Sequence, residues 1–284
     1  KLGVRPGEHI GWTLFNDTYT VKLGTTTYVN GISSHGKTIF ILNILVNLSK
    51  SKGWKHAIWS PETGKIVNQL SEITHTWSGK NMRKETMSME EMYQYQTELS
   101  EYFYFMDIDS EHLTIENYMK VAKKLIDEQK VNTFLLDPWN ELIHDFSEFS
   151  GREDKYLLHW LGIIRRFAVD NNVHFFIIAH PKEPARDKDG VIKAPTIFDF
   201  AGGHAWSARA MNIICVHRPK FDEEKRELPY HNQSTIYIQK VKPKEVGDKG
   251  IINLWFDKEK NRFYDKDSLG NPVFSNVFNK EYEL

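Results

Sequence analysis

"TTTYVNGISSHGKTIFILN", residues 25–43, joins a β-branched run to an apolar one through two glycines with four residues between them, then a lysine and a threonine. Its middle fits G-x-x-x-x-G-K-[ST], and the flanks read as a strand before it and a helix after it, the context in which that pattern has physical meaning. Backbone N–H groups of residues 32–37 turn inward around an anion only if Gly31 and Gly36 permit the bend, and the following helix adds the positive end of its dipole. The expected phosphate cradle is Gly31, Ser33, Ser34, His35, Gly36, Lys37 and Thr38. Lys37 then reaches the β- and γ-phosphates of ATP or another nucleoside triphosphate, and the Thr38 hydroxyl ligates Mg²⁺.

Outward from this turn, further apolar segments recur at intervals too wide for hairpins: "HAIWS" (56–60), "FYFMDI" (103–108), "TFLLD" (133–137) and "HFFIIAH" (174–180). Amphipathic stretches at 38–51, 115–129 and 155–171 fall between most of them. The alternation predicts an α/β fold with a mostly parallel central sheet flanked by helices. "FLL" and "FFII" are apolar without a break, as strands covered on both faces should be. From about residue 212, "NIICVHR", "STIYIQKV" and "GIINLWFDKEKNRFY" read as strands joined by short polar turns, an antiparallel extension at the C-terminal end. Segment 181–204 is long, polar and rich in Pro and Gly, which marks a functional loop.

The chain has 284 residues, 40% of them hydrophobic, enough for one large domain. We expect a linker at 1–11 leading from an N-terminal region, the domain at 12–268 and a tail at 269–284. A formal charge of −1 is no global signature of a nucleic-acid binder, so any such contact must come from local clusters of lysine and arginine. The single cysteine, Cys215, lies in the apolar "NIICV" and reads as a core residue of a reducing compartment. No apolar run reaches the length of a membrane span, so no membrane partner is expected.

A phosphate loop needs partners at other strand ends. Asp137, closing "TFLLD", supplies a carboxylate on the Mg²⁺ side, although a helix cap before Pro138 would also use it. Glu62, in "HAIWSPETG", stands just past the next strand, where it can orient or deprotonate water; an ordinary first-turn glutamate is the plainer alternative. His180 ends "FFIIAH" on the same expected edge, as a group able to sense a γ-phosphate.

The order of "GISSHGKT", "WSPETG", "LLDPWN", "IIAHPKE", "IFDFAGGHAWSARAMNIICVHRP" and "KPKEVGDKG" resembles the RecA-like P-loop motor domain of DnaB-type replicative hexameric helicases, with phage primase-helicases and Twinkle-like enzymes as the nearest kin. The resemblance covers about residues 8–265. It implies Glu62 as catalytic base, Asp137 as the aspartate beside Mg²⁺ and His180 as γ-phosphate sensor. It also implies a homo-oligomer, a hexamer, whose loops after Asp137 and His180 grip single-stranded DNA, with a primase-like domain as a further partner and a bacterial or phage-infected cytoplasm as the setting. Lys182, Arg186, Lys188 and Lys193 suit phosphate neutralisation; His204 and Trp206 suit stacking or shaping of the loop base; Arg209 suits a DNA or interface contact. A solvated loop whose Asp187 and Asp189 cancel half its charge is the bland alternative. Family members place a lysine and an arginine before G-x-x-G to reach the neighbouring subunit's nucleotide. Here the pair is Lys242 and Lys244, so the expected arginine finger is a lysine, which keeps the charge and loses the planar fork. Met211 likewise stands where the family has an acidic residue.

The expected activity is DNA-stimulated ATP hydrolysis driving translocation. Two other readings use the same residues: a recombinase or clock-type ATPase, and a nucleotide-switched DNA-binding assembly module with weak catalysis.

Overall fold

The uninterrupted apolar runs become strands with no exposed face. The computed structural model describes residues 6–83, 85–182, 186, 188, 192–219 and 232–278. In chain order its first half comprises β1 (Thr25–Asn30), α1 (Lys37–Lys52), β2 (His56–Trp59), α2 (Ile66–Ser78), α3 (Met89–Ser100), β3 (Phe103–Phe105), α4 (Ile115–Gln129) and β4 (Thr133–Leu136). The second half adds α5 (Glu153–Asn171), β5 (His174–Ile178), α6 (His204–Arg209), β6 (Asn212–His217), β7 (Gln233–Lys240), β8 (Gly250–Asp257), β9 (Arg262–Lys266) and β10 (Pro272–Phe274).

All strands join one sheet in the order β10-β9-β8-β7-β6-β1-β5-β4-β2-β3. From β6 to β3 the pairs are parallel, and from β6 to β10 they are antiparallel, as the two halves of the sequence predict. Alternate residues of each strand feed two cores. Phe176, Ile178 and Val29 pack with α1 on one face, while Phe175, Ile177 and Tyr28 pack with residues of α4, α5 and α6 on the other. Each such aromatic or aliphatic side chain contributes about 1.5–3 kcal/mol when fully buried. Cys215 is fully buried in β6, and its thiol is pushed up to about 12 by that burial.

α1 is buried nearly all round because the sheet, α2, β9 and the N-terminal segment enclose it. Trp12 stacks on Phe40 at 6.0 Å and donates to the Phe263 carbonyl at 3.0 Å; Ile10 and Phe278 enter the same core. The described parts of the expected linker and tail therefore pack on the domain, and β10 lies within that tail. Two helices between residues 61 and 102 carry no sequence expectation, for physical reasons. α2 buries polar Gln69, Thr74, His75 and Thr76, and α3 buries only Leu99, so neither shows an apolar stripe. A reciprocal cap starts α3: Ser88 Oγ accepts from the Glu91 N–H at 3.1 Å, and Glu91 Oε2 accepts from the Ser88 N–H at 2.9 Å.

Candidate active site

The register aligns Tyr28 of β1 with Ile177 of β5, and Leu136 of β4 with both Ile177 and Trp59 of β2. The strands consequently deliver Gly31, Ser60, Asp137 and His180 to one edge, the carboxyl ends where ligands gather in parallel sheets. Two glycines shape the loop for different reasons. At Gly31, φ is +149° and a Cβ would lie 2.4 Å from the Val216 carbonyl oxygen; at Gly36, φ is +87° in open space, so only conformation demands glycine. The Gly36 carbonyl accepts from the Phe40 N–H at 2.9 Å and starts α1. Ser33 and Ser34 are exposed on the outer bend, and His35 is buried, its Nδ1 accepting from the Arg218 N–H at 2.9 Å. Lys37 is buried as well, and Nζ donates to the carbonyls of Gly31 (3.1 Å) and Ile32 (3.0 Å). Burial lowers its pKa, opposed by the charges of Asp137 and Glu62.

Asp137 is fully buried one residue beyond β4. Its Oδ2 accepts from Thr38 Oγ1 at 2.7 Å and Ser60 Oγ at 2.9 Å, whereas Oδ1 has no partner among the described residues. Burial pushes the carboxyl up to about 6. An orphaned buried carboxylate oxygen beside a threonine hydroxyl fits a small divalent cation. Among the described residues no group of three or more His, Cys, Asp or Glu side chains could hold a metal, so the fit is to Mg²⁺ shared with phosphate and water. The helix-cap alternative does not describe this carboxylate, whose hydrogen bonds go to two side-chain hydroxyls.

Glu62 is exposed in the short helical turn Pro61–Thr63, and its Oε2 lies 3.8 Å from His180 Nε2. His180 is half-buried, and its backbone N–H donates to Asn140 Oδ1 at 3.0 Å, tying the end of β5 to the loop after β4. Burial, then the Lys37 charge, lowers the His180 pKa, leaving a neutral imidazole at pH 7. The edge thus joins a cation-ready anion cradle, a buried carboxylate, a solvent-facing carboxylate and a neutral histidine. That set can bind a phosphate chain and activate water against it.

Lys242 and Lys244 do not join this group. Lys240 pairs with Ile213 near the start of β6, and the Lys242 N–H donates to Asn212 Oδ1 at 3.1 Å. Asn212 in turn donates to the Thr26 carbonyl at 3.2 Å, five residues before Gly31. At about 3.3 Å per residue the lysines lie roughly 17 Å down the sheet from the loop, more than a lysine side chain spans. Lys182, Arg186, Lys188, Lys193 and His204 are exposed on and beside the loop after β5; Asp187 and Asp189 lie outside the described residues. Trp206 corrects the expectation of a stacking platform. It is 1% exposed, stacks on Phe200 at 5.2 Å, meets Tyr28 edge-on and donates Nε1–H to the Ala201 carbonyl at 2.7 Å. It is core beneath the loop. Arg209 is half-buried and donates from Nε to the Leu158 carbonyl at 2.9 Å.

Ser60, Asn140 and a small cavity of about 180 Å³ beside the loop, lined by Ile39, Arg218, Ser234, Phe256 and Phe263 among others, carry no expectation from sequence. For Ser60 a signal exists, since it stands two residues before Glu62 on the same turn. For the cavity none does, since its walls come from α1, the end of β6, β7, β8 and β9.

The profile of the DnaB-like helicase C-terminal domain family matches residues 16–265. The chain is 28% identical over 271 residues to the "Twinkle homolog protein, chloroplastic/mitochondrial" of Arabidopsis thaliana, covering 91% of this chain and 36% of that protein. It therefore spans about a third of that relative's length. Among solved structures it is similar to the ATPase domain of a phage helicase, with a TM-score of 0.71, 18% identity and coverage of 94% of this chain and 93% of that one. It is also similar to a DnaB-like replicative helicase whose interactions with primase were solved, with a TM-score of 0.72, 19% identity and coverage of 92% and 62%. Among the described residues no helix is long and apolar enough to cross a membrane.

Proposed function

This chain belongs to the DnaB-like helicase C-terminal domain family, and from that premise we propose that it is the ATP-hydrolysing motor of a replicative ring helicase, translocating on single-stranded DNA. The observation that carries the reading is the convergence of Lys37, Thr38, Asp137, Glu62 and His180 on one sheet edge. Lys37 exchanges the carbonyls of Gly31 and Ile32 for phosphate oxygens. Thr38 and Asp137 hold the Mg²⁺ side, where a bound cation neutralises charge on the β- and γ-phosphates. Glu62 takes the proton of the attacking water as a new P–O bond forms and the bond between the γ-phosphorus and the bridging oxygen breaks, releasing ADP and phosphate. His180, next to Glu62, offers a neutral hydrogen-bonding group toward the transferred phosphoryl.

One copy holds only part of the machinery. Lys242 and Lys244 stand away from their own loop, so in this reading they complete the site of the next copy in a hexameric ring. Lysine there neutralises charge without a bidentate fork, and slow turnover follows, since an arginine finger is worth ~10³–10⁵ in rate. The loops that follow Asp137 and His180 leave the same edge and, in this reading, move DNA as nucleotide state changes. The test is phosphate release by purified protein with Mg-ATP, with and without single-stranded DNA. Hydrolysis should rise with DNA and vanish in Lys37→Ala; a rate indifferent to both DNA and Lys37 defeats the reading.

A further inference from the structure

α5 and α6 pack against each other on the face that carries the loops, and a groove of about 500 Å³ runs between them. Arg165, Arg166 and Arg209 line it, with Gly162 as its floor and Asp170 as the one carboxylate among the lining residues. Arg165 and Arg166 are exposed, and among the described residues neither has a carboxylate within ion-pair distance. Arg209 is pinned through Nε to the Leu158 carbonyl. A Cβ on Gly162 would meet its guanidinium carbon at 3.6 Å, so glycine keeps that floor low. An interior helical glycine costs about 1 kcal/mol against alanine, and the open groove is what this one offers in exchange.

The groove continues in both directions. At its upper end exposed His159 lies 5.3 Å from Phe149 of the loop after β4 and 5.2 Å from Trp160. Toward the base of the sheet come Lys240, whose Nζ donates to the Ser207 carbonyl at 2.6 Å, and Lys242. Burial, then the charges of Lys242 and Arg165, lowers the Lys240 pKa, as expected of crowded cations. On a chain with a net charge of −1, five cations in one strip around a single acid are a concentrated field.

Resting on the helicase reading above, we propose that this groove is a phosphate track for single-stranded nucleic acid, with Arg165 and Arg166 as its contacts beyond the two loops. Unpaired cations flanked by aromatic faces make the combination that binds single strands without sequence preference, and an acidic protein surface has no use for the aromatic end.

The test uses the full chain, a labelled oligothymidine, Mg-ATP and fluorescence anisotropy across a salt series. R165A/R166A should lose two phosphate contacts, lowering the slope of log affinity against log salt by about 1.4 and weakening binding about 25-fold at about 0.1 M salt. R165K/R166K should keep most of the slope, and both variants should melt with the wild type, since the side chains are exposed. Unchanged affinity and slope in R165A/R166A overturn the proposal. So does an effect confined to assembly mass in solution, which gives the groove to a second copy of the chain. Wild-type protein that neither binds oligothymidine nor hydrolyses ATP defeats the helicase reading itself, and is a different result from wild-type binding that the arginines do not affect.

Discussion

Trp206 and Asp137 show how differently two polar-capable residues translate from sequence to structure. Asp137 is legible because three of the four residues before it are apolar, and a carboxylate at the end of a buried strand has few uses besides holding a cation. Trp206 sits among glycines, histidine and arginine, and nothing local says that its ring turns inward against Phe200, Tyr28 and Trp139. Trp206→Ala should cost about 3–5 kcal/mol in denaturant unfolding. Loss of DNA affinity at unchanged stability would restore the stacking role. Arg165 and Arg166 are hard to notice for the opposite reason: in "GIIRRFAV" they look like the solvated face of an amphipathic helix, and only the approach of α6 makes that face concave.

At the scale of elements, strands are easier to read than the helices α2 and α3, because continuous burial demands apolar runs while a half-exposed helix can be built from polar residues and a cap. The strands also carry hidden histidines. His56 opens β2 and His174 opens β5, both fully buried. His56 Nδ1 meets Thr133 Oγ1 at 2.6 Å, and His174 Nδ1 lies 3.0 Å from both the Lys22 carbonyl and Thr25 Oγ1. Burial pushes their pKa values down to about 3 and about 4, from an ordinary 6.5. Below pH 6.5 the unfolded chain takes up protons that the folded chain refuses. The stability they contribute is therefore complete above pH 6.5 and drains away as pH falls toward 4, at up to about 1.4 kcal/mol per unit for each histidine. The melting temperature should be level from pH 7 to 8 and fall below 6, with a shallower fall in His174→Gln. A level profile down to pH 4 would contradict this account.

For the whole molecule, the family resemblance located the nucleotide edge, yet the sequence does not say that Lys242 and Lys244 stand at the far end of the sheet. That fact depends on β7 running antiparallel to β6, a pairing between segments separated by a long connection, and no local pattern encodes it. Its consequence is kinetic. If a site is finished only by the next copy, an open string of n chains has n − 1 working sites, a closed ring has n, and a lone chain has none. Turnover per chain should then climb with protein concentration and level off once rings predominate. Doping Lys242→Ala/Lys244→Ala chains into wild type should silence partners that are themselves intact. Dilution of an enzyme is ordinarily a way to measure it; here, dilution should switch it off.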